Sequence, residues 1–437
     1  MRVARLLLML WLASSLSGCG AGTRASVMSA IERGELGEAM VAYERMRSAD
    51  GADTEVLARI AERVLVREAQ SESRESRKAA ITELAMVGTA GEQMLRELAR
   101  RDAPESLLAL EVLARRGDDN ARRHLRGLED SSDPEARAAS VIGMEIDAER
   151  ESLLDAMTWP FAKARENAAS LLARMAPDGE ARDALESASR SDPDAGVRAA
   201  AVRALGAYGP AASSVLRERL SDPMASVRMA AVEAMIRADY EQAKNVLGSL
   251  FEVPPSVQGI EAARLILAGC DEEHASDSGA RSYLIQALTA NDPALRAQSG
   301  VALVSIPNAS EMVDAMRNAL LHEPDRGARL AIARALLRQA GADEGAGSVL
   351  RNLMHDDDTM NGLQAAATLA ALGDEEAIAT LNSFIARPDP TLRRTAARVL
   401  AREVRRPDDV RGLLTDSDPL VRISAAGGIL AASVASR

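Results

Sequence analysis

The chain has 437 residues and a formal net charge of −12 at pH 7; 47% of its residues are hydrophobic, but only 2% are aromatic. This length exceeds what one core usually spans, so several domains or a repeat array are expected. The apolar content is mostly Ala, Leu, Val and Met, which favours closely packed helices over a strand-rich core. The acidic balance argues against general nucleic-acid binding, which relies on a basic surface, although an acidic patch suits a basic partner.

The first residues of the chain have the pattern of an export signal. Arg2 and Arg5 precede an apolar run over 6–13 that is too short to span a bilayer permanently. The run closes with Leu-Ser-Gly-Cys, which resembles the lipobox of bacterial lipoproteins. The resemblance implies a signal peptide at 1–18, cleavage before Cys19, and a lipid anchor on that cysteine followed by a tether at 19–26. The alternative is an ordinary secretion signal that ends in an incidental cysteine.

The residue after the predicted anchor bears on the destination. It is Gly20 and not the Asp that retains lipoproteins at the inner membrane in the best-studied Gram-negative rule. The resemblance therefore implies an outer-membrane lipoprotein that faces the periplasm. Cleavage would leave Cys270 as the one cysteine besides the anchored Cys19, so an intramolecular disulfide is not expected.

Two amphipathic helices are predicted next, over about 27–47 and 54–68, with a turn at 49–53 between them. Gly34-Glu35-Leu36, followed by Glu38-Ala39-Met40 and Tyr43-Glu44, resembles the first helix of a tetratricopeptide repeat. The alternative is an unspecialised helical hairpin that caps the N-terminal end of the downstream helices. A charged stretch at 70–78 then predicts a loop or an exposed helix start.

From residue 100 onward the chain repeats one pattern, a turn with Asp-Pro or a close variant, then an apolar residue, an arginine and a run of small apolar residues. Residues 192–206, DPDAGVRAAAVRALG, show it most clearly. The marker position is occupied by Arg137, Arg165, Arg198, Arg228, Gln258, Arg296, Arg329, Gln364, Arg393 and Arg422. Its mean spacing of about 32 residues fits two short helices and two turns, which predicts an all-α solenoid of about ten helical-hairpin repeats.

These units resemble HEAT repeats of the short bacterial type seen in phycobilisome-lyase-like proteins, over 74–435. The resemblance implies that an Asp in the turn of one repeat bonds to the Arg of the adjacent repeat, forming a ladder through the stack. Carried over, this predicted ladder comprises Asp133, Arg137, Arg165, Asp192, Arg198, Asp222, Arg228, Asp292, Arg296, Arg329, Asp389, Arg393, Asp418 and Arg422. Gln258 and Gln364 cannot form a charged pair, so the ladder is expected to change there.

The sequence offers no reaction centre, and we predict no catalytic residues, no metal and no cofactor. The four histidines, His124, His274, His322 and His355, show no metal-ligand spacing, and no phosphate loop or nucleophile elbow occurs. Two acidic segments, at 269–279 and at 355–358, are interpreted mainly as solvated turns, with a cation or a basic partner as the alternative for the first.

Three functions are consistent with this pattern. The first is a non-enzymatic, membrane-anchored scaffold or adaptor that presents a solenoid surface to another protein of the bacterial envelope. The second is a lyase-like HEAT-repeat enzyme or chaperone that acts on a chromophore or another small ligand. The third is a structural spacer, which the sequence does not separate from the first.

Overall fold

A computed structural model describes residues 23–101, 103–144, 150–268, 278–306, 309–355 and 359–435. Within these ranges every regular element is helical, which confirms the predicted all-α class. The first twelve α-helices are α1 (Arg24–Arg33), α2 (Leu36–Asp50), α3 (Thr54–Ala69), α4 (Arg74–Met86), α5 (Thr89–Ala99), α6 (Pro104–Arg115), α7 (Asp119–Arg126), α8 (Pro134–Gly143), α9 (Arg150–Ala156), α10 (Ala162–Leu172), α11 (Gly179–Ser191) and α12 (Ala195–Leu205). The others are α13 (Ser213–Arg219), α14 (Ala225–Ala238), α15 (Tyr240–Gly248), α16 (Val257–Ala268), α17 (Ser278–Ala287), α18 (Pro293–Ser305), α19 (Val313–His322), α20 (Arg326–Ala340), α21 (Glu344–Met354), α22 (Thr359–Ala371), α23 (Glu375–Phe384), α24 (Pro390–Arg398) and α25 (Pro419–Ala435).

Aspartates in the turns set where many of these helices begin. Asp178, for example, accepts hydrogen bonds from the backbone N–H groups of Glu180 and Ala181 at the start of α11. Asp194 does the same for Gly196 and Val197 at the start of α12. A side-chain oxygen at this position satisfies N–H groups that have no partner within the helix. The recurring Asp turns therefore divide the chain into short helices.

The repeated element is a pair of helices whose second member packs against the second helix of the next pair. In the compact unit formed by residues 106–372, α8, α10, α12, α14, α16, α18 and α20 stack in this order. The run Ala199-Ala200-Ala201 of α12 is buried. Small side chains let these helices approach closely, so each repeat buries its apolar faces against its neighbours.

The second compact unit combines the described residues 23–105 and 373–435 and thus joins the first and the last described helices of the chain. Its C-terminal helix α25 packs against α24, and also against α3 and α4 from the beginning of the chain. Ile423 and Leu430 of α25 are almost fully buried. The sequence did not predict this contact. Through it, the hairpin of α3 and α4 packs on the last repeat as one more repeat would.

The N-terminal helices differ in one respect from the prediction. The helix expected over 27–47 is interrupted, because Gly34 adopts a left-handed backbone conformation with φ of 80° and ends α1. Glycine takes this conformation without steric cost, so it is the usual residue at such a helix end. The proposed division at 1–18, 19–26, 27–68 and 74–435 stays a prediction, and the signal peptide lies outside the described residues.

The close stacking of second helices makes Gly300 of α18 a sensitive position. A Cβ atom built on Gly300 lies 2.8 Å from the carbonyl carbon of Ala331 and from the nitrogen of Ile332 in α20. We therefore expect Gly300→Ala to lower the free energy of unfolding by about 1–3 kcal/mol, since forced overpacking displaces the backbone. Thermal denaturation followed by circular dichroism measures the change.

Gly248 provides the matched control, because it lies at the end of α15 in the same unit and a Cβ atom there meets nothing within 4 Å. Gly248→Ala is expected to leave the melting temperature unchanged or slightly higher, as alanine favours helix more than glycine does. Equal melting temperatures for the Gly300 and Gly248 variants would contradict the close approach of α18 and α20.

Candidate functional site: the arginine ladder

The recurring arginines of the repeats form the most regular set of polar contacts in the described chain. Arg198 shows its geometry best. Nη1 of Arg198 donates to the carbonyl of Asp192, six residues earlier, at 2.9 Å, while Nε and Nη2 donate to the two carboxylate oxygens of Asp222 at 3.1 and 3.2 Å. Asp222 belongs to the turn of the next repeat. One guanidinium therefore holds its own turn and the next one together.

Three further arginines bind a carboxylate of a subsequent turn through two nitrogens. Arg165 pairs with Asp192 at 2.7 and 3.0 Å, Arg296 with Glu323 at 2.7 and 2.8 Å, and Arg393 with Asp416 at 2.8 and 2.9 Å. A planar guanidinium matches a carboxylate in this two-point geometry. The side chains are largely shielded from water, so these pairs are not ordinary surface ion pairs.

The ladder carboxylate stands six residues before an arginine, and this spacing corrects part of the prediction. Four predicted ladder aspartates stand four residues before their arginine instead and cap helices: Asp133, Asp292, Asp389 and Asp418 accept from the N–H groups of Glu135, Ala294, Thr391 and Leu420. The Asp-Pro pair thus occurs in two registers. In the register of Asp192 and Asp222 the carboxylate reaches the preceding repeat, and in the register shifted by two residues it reaches only its own helix.

The remaining predicted arginines have other contacts. The Cζ atom of Arg137 lies 4.9 Å from the ring centroid of Trp159, which stands six residues before Arg165 where a carboxylate stands in other repeats. Arg228 donates to the carbonyls of Asp222 and Pro223. Arg329 donates to the carbonyl of Glu323. The structure therefore keeps the arginine while the chemistry of its partner varies.

In the unit that joins the first and the last described helices, the ladder continues onto α3. Nε and Nη2 of Arg422 donate to one carboxylate oxygen of Glu68 at 2.9 and 2.8 Å. Arg77, at the start of α4, donates to the carbonyls of Ser71 and Glu72 in the same way as the ladder arginines. Sequence reasoning missed both residues. The available signal was the spacing of Arg77, six residues after Ser71 and four after the helix cap Ser73.

In the repeat of Gln258, a tyrosine hydroxyl binds the turn that an arginine binds in other repeats. The hydroxyl of Tyr283 accepts from the N–H of Ser256 at 2.9 Å and donates to the carbonyl of Pro254 at 3.3 Å. Gly259 leaves room for this ring, since a Cβ atom there would overlap the tyrosine. Nε2 of Gln258 donates back to the carbonyl of Leu220 at 3.3 Å. The change expected at Gln258 is thus a local rebuilding of the turn.

The ion pairs change the acidity of the ladder carboxyl groups. Burial favours the neutral form of Asp222, but hydrogen bonds from Arg198 and from the N–H of Met224 outweigh it and lower its pKa. Burial likewise opposes the hydrogen bonds from Arg165 and the N–H of Asp194, and the pKa of Asp192 is lowered. These carboxylates therefore stay charged at neutral pH, and their pairing contributes to stability.

Among the described residues, no group of three or more His, Cys, Asp or Glu side chains has the arrangement of a metal site. No helix in these ranges is both long and apolar enough to cross a membrane. Cys19, residues 269–277 of the acidic loop, and the aspartates at 356–358 lie outside the described residues.

Two segments of the chain match the model of a known repeat family. The family model described as HEAT repeats matches residues 150–236 and 313–401. No curated protein sequence matches the chain. Among solved structures, YibA of Escherichia coli is 17% identical with a TM-score of 0.37, covering 63% of this chain and 98% of that one.

Two other structures are similar at this level. The complex of CpcE and CpcF of phycocyanin lyase from Nostoc is 20% identical with a TM-score of 0.29, and the match covers 65% of this chain and 94% of that one. A structure of Kap95p with RanGDP is 12% identical with a TM-score of 0.39, covering 92% of this chain and 65% of that one. The match to HEAT repeats and the stacked helix pairs of the described chain support the α-solenoid class predicted for it.

The pair of Arg198 and Asp222 yields a stability prediction with a pH signature. Arg198→Ala removes the two-point partner of the buried Asp222 carboxylate, which keeps only the N–H of Met224 and Arg219 at 3.8 Å, and we expect a loss of about 3 kcal/mol in the free energy of unfolding at pH 7. Because the pKa of Asp222 is lowered in the folded wild type, the pair contributes fully above the ordinary Asp pKa of about 3.9. The contribution disappears as the pH falls through the lowered value, so the difference between the two proteins should narrow in acid.

Melting temperatures of both proteins between pH 7 and pH 2 provide the measurement. Arg217→Ala is the control, because Arg217 is exposed on α13 of the same unit. It should match the wild type at every pH. An Arg198→Ala protein as stable as the wild type at pH 7, or a difference that does not change with pH, would contradict the ladder at this position.

Proposed function

We propose that this chain is a non-enzymatic interaction protein, tethered to the bacterial envelope through a lipid on Cys19, whose repeats offer a surface to another protein. The observation that carries the proposal is a row of accessible side chains on second helices. Ser170, Arg203 and Val301 of this row are exposed, and Glu233 and Arg334 are half-buried. A row at constant register on stacked repeats is the kind of extended surface by which solenoids bind proteins.

Two neighbouring members of the row contact each other, whereas Ala263, at the same register on α16, is buried. Nε of Arg203 on α12 lies 3.5 Å from Oε2 of Glu233 on α14. The side chains mix charge, polarity and apolar character, which favours a protein surface over a nucleic-acid track. Val301 is 61% exposed, so its side chain contributes little to the apolar core. It is therefore the position at which a substitution tests binding without disturbing packing.

The use of ionisable groups in the ladder supports the non-enzymatic assignment. The described ladder carboxylates bind arginines of adjacent repeats or cap helices, so their charges serve the stacking of repeats. Groups that perform acid–base chemistry need instead to face a bound substrate. The lyase-like alternative stays a prediction, which a coloured or ligand-bearing purified protein would support.

Val301→Asp tests the interaction role. We expect it to reduce recovery of crosslinked protein partners at least about fivefold, because a charge replaces an exposed apolar side chain of the row. The experiment is crosslinking in the cell followed by affinity purification and mass spectrometry.

Leu321→Asp is the matched control, since Leu321 is also a large apolar residue, 77% exposed, but lies at the end of the first helix α19. It should recover the same partners as the wild type. If the wild type itself brings down no reproducible partner, the proposed interaction role is wrong.

The membrane tether is a separate proposal that rests on the sequence around Cys19. Cys19→Ala removes the thiol that would receive diacylglycerol, so we expect loss of acyl label and release from the membrane fraction. Metabolic labelling with an alkyne fatty acid, followed by fractionation of inner and outer membranes, measures both, with Cys270→Ala as the control. The wild type is expected in the outer membrane. Label that persists in Cys19→Ala would contradict the tether.

A further inference from the structure

Arg228 keeps its place in the ladder but binds no carboxylate among the described residues. Nη1 of Arg228 donates to the carbonyls of Asp222 and Pro223 at 2.8 and 3.0 Å, as in the intact ladder. In the equivalent Arg198, Nε and Nη2 bind the aspartate of the next turn. For Arg228 these two nitrogens have no hydrogen-bond or ion-pair partner among the described residues. The edge of the guanidinium that binds a carboxylate in Arg198 therefore has no partner among the described residues in Arg228.

The next turn does not complete this pair. Glu252 stands at the ladder position, six residues before Gln258, but its side chain is exposed and forms no ion pair within the described ranges. The turn is held instead by the hydroxyl of Tyr283, which contacts Ser256 and Pro254. A different set of hydrogen bonds therefore fixes the backbone that would otherwise present a carboxylate.

Three exposed apolar side chains lie in the turn before Arg228 and in or directly after the next turn. Met224 is 48% exposed in the turn before Arg228, while Val253 and Val257, in and directly after the next turn, are 49% and 51% exposed. Val197 and Val227 hold the position equivalent to Val257 and are fully buried. The hydrogen bond from Gln258 to the carbonyl of Leu220 shows that the two turns are adjacent. We call Arg228 and the exposed apolar residues of these two adjacent turns, Met224, Val253 and Val257, the open rung.

We propose that the open rung binds a carboxylate side chain of a partner protein, in a segment that places an aliphatic side chain next to its Asp or Glu. This inference rests on the proposed interaction role and names the chemistry of one contact. The partner's carboxylate would occupy the place that Asp222 occupies against Arg198, with two charge-assisted hydrogen bonds. The aliphatic neighbour would cover Met224 and Val257.

The surroundings favour a peptide segment over a free small acid. A small carboxylate would satisfy Nε and Nη2 of Arg228 but would leave three large apolar side chains in water. An apolar segment without an acid would cover these side chains but would desolvate the guanidinium without pairing it. A segment that carries both groups avoids both costs, since charge and apolar area are matched at once.

The test uses a random heptapeptide phage library, selected on the immobilised full chain and counter-selected on Arg228→Gln. We expect enriched peptides to carry Asp or Glu beside Leu, Ile, Val or Met. A synthetic peptide from this set is then titrated by fluorescence anisotropy. Its Glu→Gln or Asp→Asn form, and the Arg228→Gln protein, should each bind about tenfold more weakly, as expected for a lost charged hydrogen-bonded pair.

Two protein variants complete the experiment. Arg217→Gln, an exposed arginine outside the ladder, should leave the peptide affinity unchanged. The double variant Met224→Ser/Val257→Ser retains Arg228 and should bind the peptide about fivefold more weakly than the wild type does. The test therefore does not depend on how well Arg228→Gln folds. Glu252→Gln should bind at least as tightly as the wild type, because Glu252 is the carboxylate that could compete with the peptide.

Each of the following results would overturn the open rung: enriched peptides without acidic residues, equal affinity for the wild type and Arg228→Gln, or loss of binding in Glu252→Gln. Acetate that competes with the peptide at equal concentration would also overturn it, since it indicates a site for free anions. Crosslinked partners that are recovered equally with Arg228→Gln would overturn this site alone, and the interaction role would stand on the row around Val301.

Discussion

Two-point binding of a carboxylate by a guanidinium is the interaction on which the order of these repeats depends. Arg198 donates to a carbonyl of its own turn and to Asp222 of the next turn, so a single side chain fixes a loop and its neighbour. The small apolar residues of the second helices supply most of the buried area but little directional information. The arginine adds direction, since its donors are satisfied in one register of the stack.

The repeat architecture was accessible from the sequence because its signals are local. Helical spacing of alanine, valine and leucine, Asp turns and a marker arginine recur within each unit, and all of them act within a few residues of their position. The break at Gly34 is also local, but its left-handed conformation was not read from the sequence. The partners of the arginines were harder to predict, because they depend on which of two registers an Asp-Pro turn adopts. Asp222 and Asp292 look alike in sequence, yet one binds a neighbouring repeat and the other caps its own helix.

Where a repeat departs from the arginine–carboxylate pattern, a side chain of different chemistry occupies the place of the usual partner. Trp159 meets Arg137 with an aromatic face, and the Tyr283 hydroxyl replaces an arginine near Gln258. Neither substitution was predicted, since the Trp159 ring comes from a turn and the Tyr283 hydroxyl from α17, each more than 20 residues away from the residue it contacts. The open edge of Arg228 belongs to the same group, since Nε and Nη2 of this arginine have no partner among the described residues.

The position of Glu68 has a consequence for the order in which the chain can fold. The pairs of Arg165 and Arg198 join residues 27 and 24 apart in sequence, whereas Arg422 meets Glu68 across 354 residues. Closing so long a loop is entropically costly and slow compared with local contacts. During synthesis, residues 106–372 can stack repeat upon repeat as they emerge, while α3 must wait for α25. The first helices made are therefore among the last to be buried, and any chain that ends before α25 leaves the apolar side of α3 uncovered.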